Sequence, residues 1–87
     1  MSRPDADTRA LLQQIAARLT AERPQHPMRE SLRQALALTF ATRRHGYGTD
    51  RAARAEELLL ACAPGVEKGW TRARYAEALR EAAGGAR

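Results

Sequence analysis

"TRALLQQIAARL", residues 8–19, has the period of an amphipathic α-helix. One stripe, whose members recur every three or four residues, is formed by Thr8, Leu11, Leu12, Ile15 and Leu19. The opposite side carries Gln13, Gln14 and Ala17. This pattern predicts a helix that buries one face in a protein core.

The helical period continues along the chain, and proline and glycine mark where each helix ends. Pro24 disfavours helical backbone at Arg23, so the first helix should end near Glu22. Pro27 suits the first position of a second helix, and glycine in "HGYG", residues 45–48, suits its C-cap. We predict an all-α fold, a compact single-domain bundle of four short helices over residues 1–87. The helices are expected near residues 6–22, 27–44, 50–63 and 71–83.

Each helix has expected caps and an expected inner face. The N-cap candidates are Asp5 or Asp7, Thr49 or Asp50, and Thr71. We expect the second helix to bury Met28, Leu32, Ala35, Leu36, Thr39 and Phe40. We expect the fourth to bury Tyr75, Ala76, Leu79 and Ala83 and to end at Gly84 and Gly85.

The third helix carries three consecutive leucines, residues 58–60. With Ala52, Ala55 and Cys62 beside them, this helix is apolar over much of its circumference. We therefore expect it at the centre of the bundle, with Leu59 in the core. Val66 and Trp70, in the loop that follows, are expected to fold back onto that core.

Size and composition limit what the chain can do. It has 87 residues, enough for one domain, and much of its apolar content is alanine, which buries little area per residue. Either the helices pack closely through these alanines, or a second copy or another partner completes the core. The net charge is +5 and the isoelectric point is about 10.6, which is compatible with nucleic acid or an acidic protein surface as a partner.

Several features favour a cytoplasmic protein. Cys62 is the only cysteine, so an internal disulfide is impossible and a reducing compartment fits best. No apolar run approaches the roughly 18–20 residues that cross a bilayer. The N-terminal stretch, residues 1–9, lacks the apolar core of a signal peptide.

Catalytic and metal-binding patterns are missing from the sequence. His26 and His45 stand alone, with no spacing typical of a zinc site. Cys62 lies on an apolar helix face, and Glu56 and Glu57 point roughly 100° apart on a helix. The glycines form neither a phosphate loop nor a dinucleotide fingerprint. We expect no enzyme, no cofactor and no metal.

A basic joint, "RRHGYGTDRAAR", residues 43–54, connects the second and third helices. Arg29, Arg33 and Arg44 fall within roughly 60° on the second helix, so they could extend the joint into one basic surface. Tyr47, between two glycines, is expected to be exposed there. The candidate partner-binding residues are Arg29, Arg33, Arg43, Arg44, Tyr47, Arg51 and Arg54.

Two functions remain open at this point. The size and helical simplicity suit a small regulator, an adaptor or an inhibitor carried by a phage or another mobile element, which binds an acidic protein surface. The alternative is a dimeric DNA-binding regulator of helix-turn-helix type, with Arg51 and Arg54 in the first turns of its recognition helix. Glu56 and Glu57 count against DNA because phosphates would repel them. Self-association into a homodimer is a third, separate use of the chain.

Overall fold

The computed structural model describes residues 4–84, and four α-helices account for most of that range. In chain order they are α1 (Ala6–Ala21), α2 (Glu30–His45), α3 (Asp50–Cys62) and α4 (Arg72–Ala82). Within residues 4–84 the extended backbone amounts to one isolated bridge, between Pro27 and Thr71. The predicted all-α bundle of four helices is confirmed. Gly85, half of the predicted terminal glycine pair, lies outside the described residues.

Three side chains cap the helix starts. The Asp5 carboxylate accepts a hydrogen bond from the Thr8 amide at 2.8 Å, and this bond lowers the pKa of Asp5. Thr49 caps α3 and Thr71 caps α4 in the same way, each at 3.1 Å. Of the alternatives that the sequence left open, Asp5 and Thr49 are therefore the caps. This leaves the side chains of Asp7 and Asp50 available for other contacts.

The second helix begins at Glu30, so the prediction that Pro27 opens it is wrong. The backbone before Glu30 pairs instead with the segment that leads into α4. The Met28 amide donates to the Trp70 carbonyl at 2.9 Å, and the Arg72 amide donates to the His26 carbonyl at 2.9 Å. These two bonds flank the isolated bridge between Pro27 and Thr71, and Met28 is buried as predicted although it precedes the helix.

The helix at the centre of the bundle is α1, so the prediction that placed the third helix there is wrong. α1 packs against each of the other helices, α4 packs mainly on α1, and α2 and α3 pack mainly on each other. Leu59 is 1% exposed and belongs to the core as predicted, but Leu58 and Leu60 are half-buried. Three consecutive leucines fan out over roughly 200° of a helix, so one of them points straight inward.

The inner face of α2 also differs from the prediction. Its buried residues are Ala37, Phe40 and Ala41, whereas the predicted Ala35 is exposed and Leu32, Leu36 and Thr39 are half-buried. At 100° per residue, the centre of the buried face is rotated by roughly 130° from the centre of the predicted one. The buried face therefore consists of Phe40 and two small alanines, and Leu32 and Leu36 lie at its edge.

The last loop and α4 close the core as predicted. Val66 and Trp70 pack against the core cluster, and Tyr75, Ala76, Leu79 and Ala83 are buried. The rings of Trp70 and Tyr75 lie 6.2 Å apart in a tilted arrangement. The Arg74 guanidinium lies over the Trp70 ring at 4.4 Å, which covers the loop from outside.

Candidate binding surfaces

The turn between α2 and α3, residues 46–49, is fixed by hydrogen bonds at both ends. The Gly46 amide donates to the Thr42 carbonyl at 2.8 Å, and Gly46 has a φ of +96°, which favours glycine. The Thr49 hydroxyl lies 3.0 Å from the His45 carbonyl oxygen and 2.9 Å from that of Gly46. Tyr47 stands at the tip of this turn with 92% of its surface exposed.

Asp7 of α1 ties the turn to the centre of the bundle. Its Oδ2 atom lies 2.9 Å from Nε2 of His45, within hydrogen-bonding distance. Its Oδ1 atom lies 2.8 Å from Nε of Arg44, an ion pair without the geometry of a hydrogen bond. Arg51 and Arg54 line an open pocket of about 170 Å³ that Asp7 and His45 also line. A carboxylate therefore sits among the basic residues of the joint.

Arg33 has a role inside the fold. Its NH2 atom lies 2.7 Å from the Leu60 carbonyl oxygen and 3.2 Å from that of Ala63, and its Nε donates to the Pro64 carbonyl at 3.2 Å. Its side chain is 14% exposed and also pairs with Glu30 at 2.7 Å. Arg33 therefore closes the C-terminus of α3, where helix carbonyls lack partners.

The predicted basic surface along α2 is thus interrupted. Of the predicted stripe, Arg33 packs inward against the end of α3, whereas Arg29 and Arg44 are exposed. Arg29 precedes the first turn of α2, about 20 Å along the helix axis from Arg43. Arg43 is exposed, and its guanidinium lies 5.9 Å from the centre of the Phe40 ring.

Five of the seven predicted binding residues come together at one end of the bundle. We call this end the arginine rim; it consists of Arg43, Arg44, Tyr47, Arg51 and Arg54. Arg44 is paired with Asp7, whereas Arg43, Arg51 and Arg54 are exposed and form no ion pair with any other residue in the range 4–84. The rim therefore offers three guanidinium groups that have no ion-pair partner within residues 4–84, together with the exposed Tyr47.

A groove between α2 and α3 lies on another side of the same turn and was not predicted. It has a volume of about 340 Å³ and is lined by Leu38, Thr42, Tyr47, Asp50, Ala53 and Glu56, among others. We call it the α2–α3 groove. Leu38, 47% exposed, and Tyr47 are the large hydrophobic residues that stand exposed among those described, and both line it. The α2–α3 groove therefore brings both of these exposed hydrophobic side chains to one recess.

The sequence provides only a weak indication of the α2–α3 groove. Leu38 lies between the buried Ala37 and the half-buried Thr39, so its exposure depends on how α2 is rotated. No arginine or lysine of the described chain lines the groove, and its charged residues are Asp50 and Glu56. The groove and the arginine rim therefore share Tyr47 but differ in the sign of their charge.

Metal sites, membrane-spanning helices and similar proteins were each searched for. In the described part of the chain, no three histidine, cysteine, aspartate or glutamate side chains are placed to hold a metal ion. None of the helices in that part is both long and apolar enough to cross a bilayer. Comparisons of the chain with protein-family models, curated proteins and solved structures found no match in any of the three.

Proposed function

We propose that this protein is a small non-enzymatic regulator or inhibitor that binds the acidic surface of a protein partner through the arginine rim. The observation that carries this proposal is Tyr47, which is 92% exposed on a turn held by hydrogen bonds. A tyrosine in that position adds nothing to the core. Tyrosine and arginine are the residue types that most often dominate the energetics of protein interfaces, together with tryptophan.

The helix dipole supports the same proposal. Arg51 and Arg54 stand in the first turns of α3, where the helix dipole is positive and a cation is unfavourable by about 0.3–1 kcal/mol. The fold would gain from acids at these positions. Carboxylates of a partner would neutralise both arginines and would also interact with the positive end of the helix. Binding would therefore relieve the electrostatic repulsion that the two arginines experience in the free chain.

A protein partner is favoured over DNA by the charges around Arg54. Asp50 and Glu57 lie one helical turn before and after Arg54 on the exposed side of α3. DNA phosphates placed against this side would be repelled by both carboxylates. A protein surface with separate acidic and neutral regions can contact the arginines and avoid the acids.

The DNA-binding alternative keeps one observation in its favour. The turn between α2 and α3 has four residues, 46–49, and contains glycine, as in helix-turn-helix proteins. In that case α3 would be the recognition helix, and a dimer would supply the second half-site.

An affinity pull-down from the native host, with and without nuclease, separates the two candidates. The proposal predicts that a specific protein is retained after nuclease treatment and is released by soluble competitor lacking the affinity tag. Retention that disappears with nuclease, together with DNA binding that weakens steeply between about 50 and 200 mM salt, would instead assign the chain to DNA. We place this function in the cytoplasm, where the lone Cys62 stays reduced.

A further inference from the structure

We propose that the α2–α3 groove is a second binding site, which takes a short apolar segment of a protein partner that carries lysine or arginine beside its apolar residues. This site goes beyond the proposed function because it uses a different surface with the opposite charge. The arginine rim suits an acidic partner, whereas this groove suits a basic one. The two sites lie on different sides of the same turn and share Tyr47.

The apolar part of the site is formed by Leu38, Tyr47 and the alanines of α3. Leu38 is 47% exposed in the middle of α2, whereas Leu32 and Leu36 of the same helix are half-buried. Ala53 is exposed and Ala52 is buried, so short side chains form the α3 side of the groove and leave room above it. An apolar side chain placed here would cover Leu38 without displacing any part of the fold.

The charges of the site define the partner more closely. Asp50 and Glu56 lie six residues apart on α3, a rise of about 9 Å, and both line the groove. Neither forms an ion pair with another residue of the described range 4–84, although arginine is frequent in this chain. The nearby Arg51 and Arg54 line the pocket around Asp7 instead. The complementary partner group is therefore a cation beside an apolar side chain.

The size of the groove indicates a segment as its occupant. A volume of about 340 Å³ lies at the lower end of the range for small-ligand pockets. An open groove between two helices of this size takes a few side chains from one face of a peptide, as in recognition of an amphipathic helix.

Selection of random 12-residue peptides displayed against the immobilised full-length protein tests this site. We expect the enriched peptides to combine apolar residues with lysine or arginine. We expect synthetic copies of these peptides to bind each of two single variants, Leu38→Ser and Glu56→Lys, at least about tenfold more weakly than they bind the wild-type protein. The matched controls are Ala35→Ser and Glu57→Lys, which change exposed residues outside the groove and should alter the affinity by less than about twofold.

A measurement on the unmodified protein makes the test independent of any variant. Amide NMR shifts on adding the tightest peptide should change around Leu38, Ala53 and Glu56. Arg51→Ala combined with Arg54→Ala should leave peptide binding intact, so a failure of the rim and a failure of the groove can be told apart.

Four outcomes would overturn the groove proposal. They are the absence of enrichment, enrichment of acidic peptides, equal binding by the Leu38→Ser variant and its control, and NMR changes confined to another surface. Sedimentation of the wild type supplies a further outcome: a dimer that dissociates with Leu38→Ser would assign the groove to a second copy of the chain and would also contradict the proposal.

Discussion

Arg33 and Tyr75 donate hydrogen bonds to the same oxygen, the carbonyl of Pro64, at 3.2 and 2.6 Å. The same guanidinium reaches the carbonyls of Leu60 and Ala63, so α2 and α4 together close the C-terminus of α3. Free carbonyls and the negative end of the helix dipole make this end of α3 favourable for a cation. The contact explains why an arginine occupies the inner side of α2.

Arg33→Lys should destabilise the protein although it keeps the positive charge. A lysine ammonium is compact and lacks the planar fork that reaches several carbonyls at once. We expect a loss of about 1.5–3 kcal/mol in the free energy of unfolding, measured by urea denaturation. Arg29→Lys, at the exposed position that precedes α2, is the matched control and should change this free energy by less than about 0.5 kcal/mol. Equal effects of the two substitutions would contradict the conclusion that Arg33 stabilises the C-terminus of α3.

Tyr75 should make the stability fall at high pH. Burial raises the pKa of the Tyr75 phenol above its ordinary value of 10.0, and the nearby Arg33 offsets part of this shift. The folded state therefore holds the phenolic proton more tightly than the unfolded state does. The resulting stabilisation is fully present below pH 10 and is lost as the pH rises through the raised pKa.

The measurement is the free energy of unfolding as a function of pH for the wild type and Tyr75→Phe. The variant should be less stable at neutral pH by about 0.5–1.5 kcal/mol, because it loses the bond to Pro64, and its stability should fall less steeply above pH 10. Tyr47→Phe serves as the control because Tyr47 lies outside the core. Parallel curves for the wild type and Tyr75→Phe would contradict the prediction.

The core should depend on α1 at least as much as on α3. Leu12 is fully buried on the helix that contacts all the others, and Leu59 is 1% exposed. Leu12→Ala and Leu59→Ala should each cost about 2–5 kcal/mol, a large part of the stability of so small a domain. Leu38→Ala, at an exposed position, should cost less than about 1 kcal/mol. A melting temperature that barely moves with Leu12→Ala would contradict the central position of α1.

The arginines that begin α3 should contribute little to stability. Replacing Arg51 and Arg54 by alanine removes two cations from the positive end of the helix dipole, which favours the fold by about 0.3–1 kcal/mol. The nearby carboxylates of Asp5 and Asp7 partly offset this gain because they attract the two arginines. We expect the melting temperature, measured by circular dichroism, to stay unchanged or rise slightly. A fall of several degrees would show that these arginines serve the fold.

The presence of four helices, the cap at Thr71 and the exposure of Tyr47 could be predicted because each depends on neighbours within a few residues. The stripe from Thr8 to Leu19 and the cap at Thr71 are examples. The caps of α1 and α3 were narrowed to two candidates each, and the start of α2 was wrongly placed at Pro27. The rotation of α2 could not be predicted in this way, because the chain itself offered leucines and alanines as competing inner faces. In the folded chain Ala37 and Ala41 are buried, and Leu38 is exposed.

The candidate site was predictable in part for the same reason. The basic joint is local in sequence, so its residues were found together. Asp7 lies 38 residues from His45, and Arg33 lies 31 residues from Pro64. No local sequence pattern therefore predicts either contact. The α2–α3 groove likewise depends on the placement of Leu38 against Ala53 of another helix.

The most direct test of the proposed function uses the partner protein that is retained after nuclease treatment. Its affinity is measured for the wild type and for two combined variants that remove the same number of positive charges. The first variant combines Tyr47→Ala, Arg51→Ala and Arg54→Ala at the arginine rim. The control combines Lys68→Ala and Arg80→Ala, two exposed cations away from the rim. We predict that the rim variant keeps its helical circular dichroism spectrum and loses at least about tenfold in affinity, while the control stays within about twofold of the wild type. Full affinity of the folded rim variant would contradict the proposal and would leave the joint as a solvated hinge.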